Sequence, residues 1–247
     1  MAETGGTLAS PVRRAVAIVG NTLRSFGTVG LAAEDFGLTA TISGNTFSST
    51  EAGVNSGIQF IAATGSVLGN SMSFGGNDFS TGILADATHA VVISGNTVAH
   101  GGTGIYVSSD DFYHNDANNS KITLNNVFDS TGVTDLINSI ENAGIIVCSN
   151  NSVVQGNQIN GSTSAAVLVD TCFNTTFGST GNTIKNNVID EACAGVLLNT
   201  AGNIVNSNLF ANTVQVQQNG NTCPAPLAHA SAVLAGSSGN TRRRTPE

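Results

Sequence analysis

Ile42-Ser43-Gly44-Asn45-Thr46-Phe47 returns almost unchanged as Ile93-Ser94-Gly95-Asn96-Thr97-Val98. Alignment on the central Asn extends the pattern to Asn21, Asn45, Asn70, Asn96, Asn125, Asn157, Asn187 and Asn208, spaced 24, 25, 26, 29, 32, 30 and 21 residues apart. Three positions before each Asn stand Ile18, Ile42, Val67, Ile93, Ile122, Val154, Ile184 and Val205. Two positions after stand Leu23, Phe47, Met72, Val98, Val127, Ile159, Ile189 and Phe210. All sixteen are apolar in a chain that is 40% hydrophobic, so chance does not explain the register. A fixed period of this length is the mark of a repeat architecture.

A second pattern lies between the Asn positions. It runs small, apolar, any, apolar, as in Gly57-Ile58-Gln59-Phe60, Gly82-Ile83-Leu84-Ala85, Gly104-Ile105-Tyr106-Val107, Gly144-Ile145-Ile146-Val147, Ala166-Val167-Leu168-Val169 and Gly195-Val196-Leu197-Leu198. Weaker copies are Gly30-Leu31-Ala32-Ala33 and Thr213-Val214-Gln215-Val216. Each unit therefore carries three short period-2 strands. One unit alone cannot bury its apolar face, so the units stack around a continuous core. This predicts an all-β, single-stranded parallel β-helix of about eight rungs. A two-sheet sandwich with strands at similar spacing competes, but the strict Asn register argues against it. The Asn residues read as turn formers. Asn tolerates a left-handed bend, and its amide can donate and accept along a stacked column.

The segments 42–47, 93–98 and 104–107 resemble right-handed parallel β-helix repeats of the pectate-lyase-like superfamily, over about residues 15–217. The resemblance implies a right-handed solenoid. It leaves function open, since members include polysaccharide lyases, glycoside hydrolases, epimerases, tailspikes and adhesins. It also implies an extracellular or periplasmic home, although Met1–Gly6 carries no signal-peptide pattern. Residues 1–14 read as a leader or partial cap. Residues 218–247 read as a segment packing on the helix, through Leu227 to Ala235, followed by a disordered basic tail.

Composition narrows the function further. The net charge is −8, and five of the eight basic residues sit in Arg13–Arg14 and Arg242–Arg244, which argues against a nucleic-acid partner. No apolar run is long enough for a transmembrane helix. Four cysteines allow three pairings. Cys148 and Cys172 are one rung apart in sequence and could stand side by side; Cys193 and Cys223 could tie the C-terminal segment to the last rungs. Four buried thiols are the alternative.

The resemblance implies that any cleft lies along the outer face of the small-apolar strands. The outward column there reads Ala32, Gln59, Leu84, Tyr106, Ile146, Leu168, Leu197 and Gln215. It is largely apolar, whereas lyases of the superfamily place acidic calcium ligands and an Arg or Lys base on this face. Lys121 and Lys185 fall instead in the strands leading to the Asn turns. The apolar stripe predicts a cover: the C-terminal segment, or another copy in a homo-oligomer.

The long loop 107–119 concentrates Asp110, Asp111, Tyr113, His114 and Asp116 beside Tyr106, with His100 on the other side of that strand. Asp110, Asp111 and His114 are candidate catalytic groups, because paired carboxylates with a His suit acid–base glycoside chemistry. Tyr106, Tyr113, His100 and Asp116 are candidate ligand-binding groups. The same Asp residues could hold calcium, although no metal site with His/Cys spacing is present. A plain polar loop is the alternative reading. The expected function is a non-catalytic extracellular scaffold that binds polysaccharide or a protein partner. A carbohydrate-active enzyme using 100–116 and a self-assembling structural subunit are the alternatives.

Overall fold

The computed structural model describes residues 14–51, 56–111, 116–130, 143–172 and 176–218. Over these residues the chain is a parallel β-solenoid without helix. Its eight turns present three rows of strands. The first row stacks Arg14–Val19, Leu38–Ser43, Thr64–Leu68, Val92–Ser94, Lys121–Thr123, Val153–Gln155, Thr183–Lys185 and Ile204–Asn206 as an eight-stranded parallel sheet. The other two rows join into one sheet, because Ser71–Asp86 and Thr97–Ser108 run continuously round the corner between them. The third row ends in Ala143–Cys148, Ala165–Val169, Ala194–Leu198 and Val214–Gln218. Arg14 opens the first of the described strands and Gln218 closes the last. Residues 1–13 and 219–247 lie outside the described residues.

The sequence register is the structural register. Ile18 pairs with Ile42, Val67 with Ile93, and Ile122 with Val154 across neighbouring turns. Ile42, Val67, Ile93, Ile122, Val154 and Ile184 are fully buried in one core with Phe47, Met72, Val98, Val127, Ile159 and Ile189. Small residues open the third row because its backbone runs close to the interior. A Cβ on Gly82 would meet Val98 Cγ1 at 2.3 Å and the Gly104 carbonyl oxygen at 2.5 Å.

Each ladder Asn before the last donates from Nδ2 to Oδ1 of the Asn on the next turn, at 2.9–3.0 Å, in an unbroken ladder from Asn21 to Asn208. The same Oδ1 atoms also accept the backbone N–H of the preceding Asn, as Asn125 does from Asn96 at 2.9 Å. A buried amide is thereby satisfied on both sides, which makes its burial tolerable.

The left-handed bend is not made by the ladder Asn, as the sequence suggested, but by the residue before it. Gly20, Gly44, Gly69, Gly95 and Gly156 have φ between 60° and 70°, and Leu124, Asn186 and Ser207 occupy the same position at 58°, 55° and 52°. The Asn backbone must instead stay extended so that its side chain points into the column.

Leu124 is the costly member. Its side chain is 66% exposed and gains little from burial, while a left-handed L-residue costs roughly 1–2 kcal/mol. Glycine's greater freedom in the unfolded chain returns part of that, roughly 0.4–1 kcal/mol. Leu124→Gly is therefore expected to stabilise the protein by about 0.5–1 kcal/mol and raise Tm by ~2 °C. Thermal unfolding of the two proteins checks this, and a lower Tm would mean that the Leu124 side chain contributes packing on Gly156.

Candidate functional site

The outward positions of the third row form a column across the turns. Ala32, Gln59, Leu84, Tyr106, Ile146, Leu168 and Leu197 are in register. The last member is Gln217 and not Gln215, because Val196 pairs with Val216 and the final copy is shifted by two residues. The column divides into two parts. Ile146, Leu168 and Leu197 are 3%, 1% and 1% exposed and form a second apolar cluster with Ala143, Ala165, Ala194 and Cys148. Leu84 and Tyr106 remain half-buried.

Two residues further along lies a second outward column: Asp86, Ser108 and Cys148 are paired in register, and Asp170 and Asn199 follow directly on the strands that end at Val169 and Leu198. Here the polar groups gather. The Ser108 hydroxyl donates to Asp86 Oδ1. Asp110, directly after this strand, shares a hydrogen bond with Asp86. Burial pushes the Asp86 carboxyl up to about 7, and the neighbouring Asp110 adds to the rise, against the lowering effect of the Ser108 hydroxyl and the Ala87 N–H. A carboxyl group that holds its proton near neutral pH beside a second carboxyl is thus set next to Tyr106.

The surrounding groups are fixed by the loops. Asp111 Oδ1 accepts the Thr176 N–H at 3.3 Å, tying the loop after Ser108 to the loop after Val169. Asp170 accepts from Asn199 Nδ2 at 2.7 Å and from the Thr171 N–H at 2.6 Å. Cys148 and Cys172 form a disulfide with their Cα atoms 5.7 Å apart, joining the two strand ends between these groups. Cys193 is also disulfide-bonded; Cys223 lies outside the described residues.

The candidates divide accordingly. Asp110, Asp111 and Tyr106 share one end of the third row. His100 does not join them. It stands within Thr97–Ser108, at the corner where that strand bends between the two rows, with Nδ1 3.2 Å from Asp129 Oδ2. Asp116 turns away as well, with Oδ1 2.5 Å from His89 Nδ1. Among the described residues no group of three His, Cys, Asp or Glu side chains could hold a metal ion. Tyr113 and His114 lie outside the described residues. The sequence reading missed Asp86, Asp170 and His89. Continuing the outward reading by two residues would have found Asp86 and Asp170; no local motif marks His89.

The family model of the right-handed β-helix region matches residues 12–177 and again 56–241. The chain belongs to the right-handed β-helix family. No curated protein matches it by sequence. A solved structure that resembles this β-helix is an alginate lyase from Paenibacillus sp. str. FPU-7, with 17% identity, a TM-score of 0.48, and 74% of this chain and 76% of that chain covered. That likeness concerns chain path, and no residue role is carried across from it.

Proposed function

We propose that this β-helix is a non-catalytic scaffold that binds an uncharged polysaccharide on the outer face of the third row, at Tyr106, Asp86, Asp110 and Asp111. The observation that carries this reading is the hydrogen-bonded Asp86–Asp110 pair beside half-buried Tyr106. A protonated Asp86 offers a donor, Asp110 offers acceptors, and the tyrosine ring offers an apolar face for a sugar ring. An acidic sugar would meet carboxylates here. The two lysines, Lys121 and Lys185, lie in the first row, on the other sheet. The secreted or periplasmic setting belongs to the same proposal; the disulfides support it, since such bonds persist in oxidising compartments.

The pair also bears on catalysis. Glycosidases that divide acid and nucleophile or base between two carboxylates hold them about 5–9.5 Å apart. Two carboxyls sharing a hydrogen bond are closer than either arrangement requires. The pair therefore favours binding over that division of labour. Asp86 with a different partner, such as Asp111, is the enzymatic alternative that its raised pKa favours.

Screening against neutral and uronate polysaccharides at pH 6, with reducing-sugar release measured in parallel, tests the proposal. Retention of a neutral glycan is expected, weakened at least tenfold by Tyr106→Ala and by Asp110→Ala, without bond cleavage. Preference for a uronate would contradict it. Sugar release abolished by Asp86→Asn would establish the enzymatic alternative.

A further inference from the structure

The Asn ladder has a direction, and its two ends complement each other. Every ladder Asn before the last donates both its backbone N–H and its Nδ2 to Oδ1 of the Asn on the next turn. At the first end, Asn21 Oδ1 accepts no hydrogen bond from the described residues. At the last end, Asn208 donates from Nδ2 to the Ile184 carbonyl at 3.0 Å, and its backbone N–H donates to none of the described residues. One end presents the acceptor toward which the other end directs its donors.

The strands and the core end in the same way. Among the described residues, Arg14–Val19, Thr22–Arg24 and Val29–Glu34 pair on one side only, and so do Ile204–Asn206, Leu209–Ala211 and Val214–Gln218. A row of unpaired backbone groups is a template for another strand. Ile18, Leu23 and Leu31 open the three inward columns, and Val205, Phe210 and Val216 close them. The residues between them in those columns are buried in the core, whereas these six keep part of their surface. Exposed apolar side chains concentrate at the same two turns: Val16 and Val19 in the first, Ile204, Leu209, Val214 and Val216 in the last. A capping turn departs from the repeat and presents a polar face. Both terminal turns described here instead keep the Asn and the apolar positions of the repeat.

We infer that the last turn of one chain docks end-on against the first turn of a second copy, continuing the solenoid across the junction. A step of one strand spacing, roughly 4.8 Å, sets Val205 on Ile18, Phe210 on Leu23 and Val216 on Leu31. The same step places Asn21 Oδ1 of the second copy where Asn208 of the first directs its backbone N–H and Nδ2. Exposed Arg24 then lies over Ala211, with Asp190 one turn behind it. The two docking surfaces differ, so the contact is heterologous and does not close on itself; its product is a linear filament. This surface is separate from the glycan site on the outer face of the third row.

Sedimentation velocity of the full-length chain over a wide concentration range tests the inference. The mass is expected to rise through dimers to longer, elongated species. A monomer at every concentration would overturn it, as would a closed dimer that grows no further. Leu23→Lys and Val216→Lys place a charge at opposite ends. Each alone is expected to lose self-association, while an equimolar mixture forms a one-to-one complex through the two unaltered ends and stops there. Filaments from either variant alone, or a mixture of folded variants that stays monomeric, would overturn the assigned surfaces. The concentration series uses the unaltered protein, so it decides even where a variant does not fold.

Discussion

Ile93→Asp is expected to leave no cooperatively folded protein. Ile93 is fully buried, stacked between Val67 and Ile122 in the middle of the first row. An ionised carboxylate there has no partner and would pick up a proton before entering the core. Even a neutral acid leaves polar atoms unpaired at a cost of roughly 2–7 kcal/mol. Losing most of a large aliphatic side chain adds a further 2–5 kcal/mol or so. The sum approaches or exceeds the typical 5–15 kcal/mol of an entire domain. A rung in the middle of a solenoid is also shared by both neighbours, so its loss uncouples the two halves. Val16→Asp is the matched control. Val16 faces inward in the first strand but is 43% exposed, and its replacement is expected to leave folding intact. Circular dichroism with thermal melting compares the two. An Ile93→Asp protein that melts within a degree or two of the parent would mean that the inward register is wrong.

The second large effect is a dependence of stability on pH. The folded-state pKa of Asp86 is raised from 3.8 to about 7. Between those values the folded chain holds a proton that the unfolded chain has lost. Stability therefore falls as pH rises. The contribution of this group is complete below about pH 4 and is lost by about pH 7. A shift of about three units corresponds to roughly 4 kcal/mol at ~1.4 kcal/mol per unit. Denaturant unfolding at pH 5 and pH 8 measures the fall. Asp86→Asn, which keeps the shape and cannot ionise, is expected to remove most of it. A parent and variant with parallel pH profiles would contradict the assignment. Glycan binding is expected to follow the same titration, since the donor on Asp86 disappears above about pH 7.

The fold was legible because its determinants repeat. Eight Asn residues flanked by apolar positions leave one architecture that satisfies all of them, and the ladder bonds use that spacing directly. Details that depend on a single turn were less legible. The left-handed residue is Gly at five corners, but Leu124 occupies the same conformation, and nothing in its side chain announces it. The last rung was misaligned by two residues because Val214-Gln215-Val216 fits the strand pattern in either register.

The site was legible only in part, for a related reason. Asp110 and Asp111 stand out in a loop rich in acidic residues. Asp86 follows Leu84-Ala85 at a strand end and looks like an ordinary turn residue. Its raised pKa comes first from burial and then from Asp110, with Ser108 opposing, and those two neighbours lie 24 and 22 positions later and arrive beside it only through stacking. His100 and Asp116 were grouped with the site by sequence proximity. A solenoid turn places the two ends of a strand on opposite corners, and each found a partner at its own corner, Asp129 and His89.

The protonated carboxyl at the centre of the outer face is the claim on which the functional account depends. Its most direct test is the titration of Asp86 in the folded protein, followed by the carboxyl carbon shift in labelled material and assigned with Asp86→Asn. A midpoint near 7 that moves down in Asp110→Asn is the result the account predicts. A midpoint near 4, unchanged by Asp110→Asn, would contradict it.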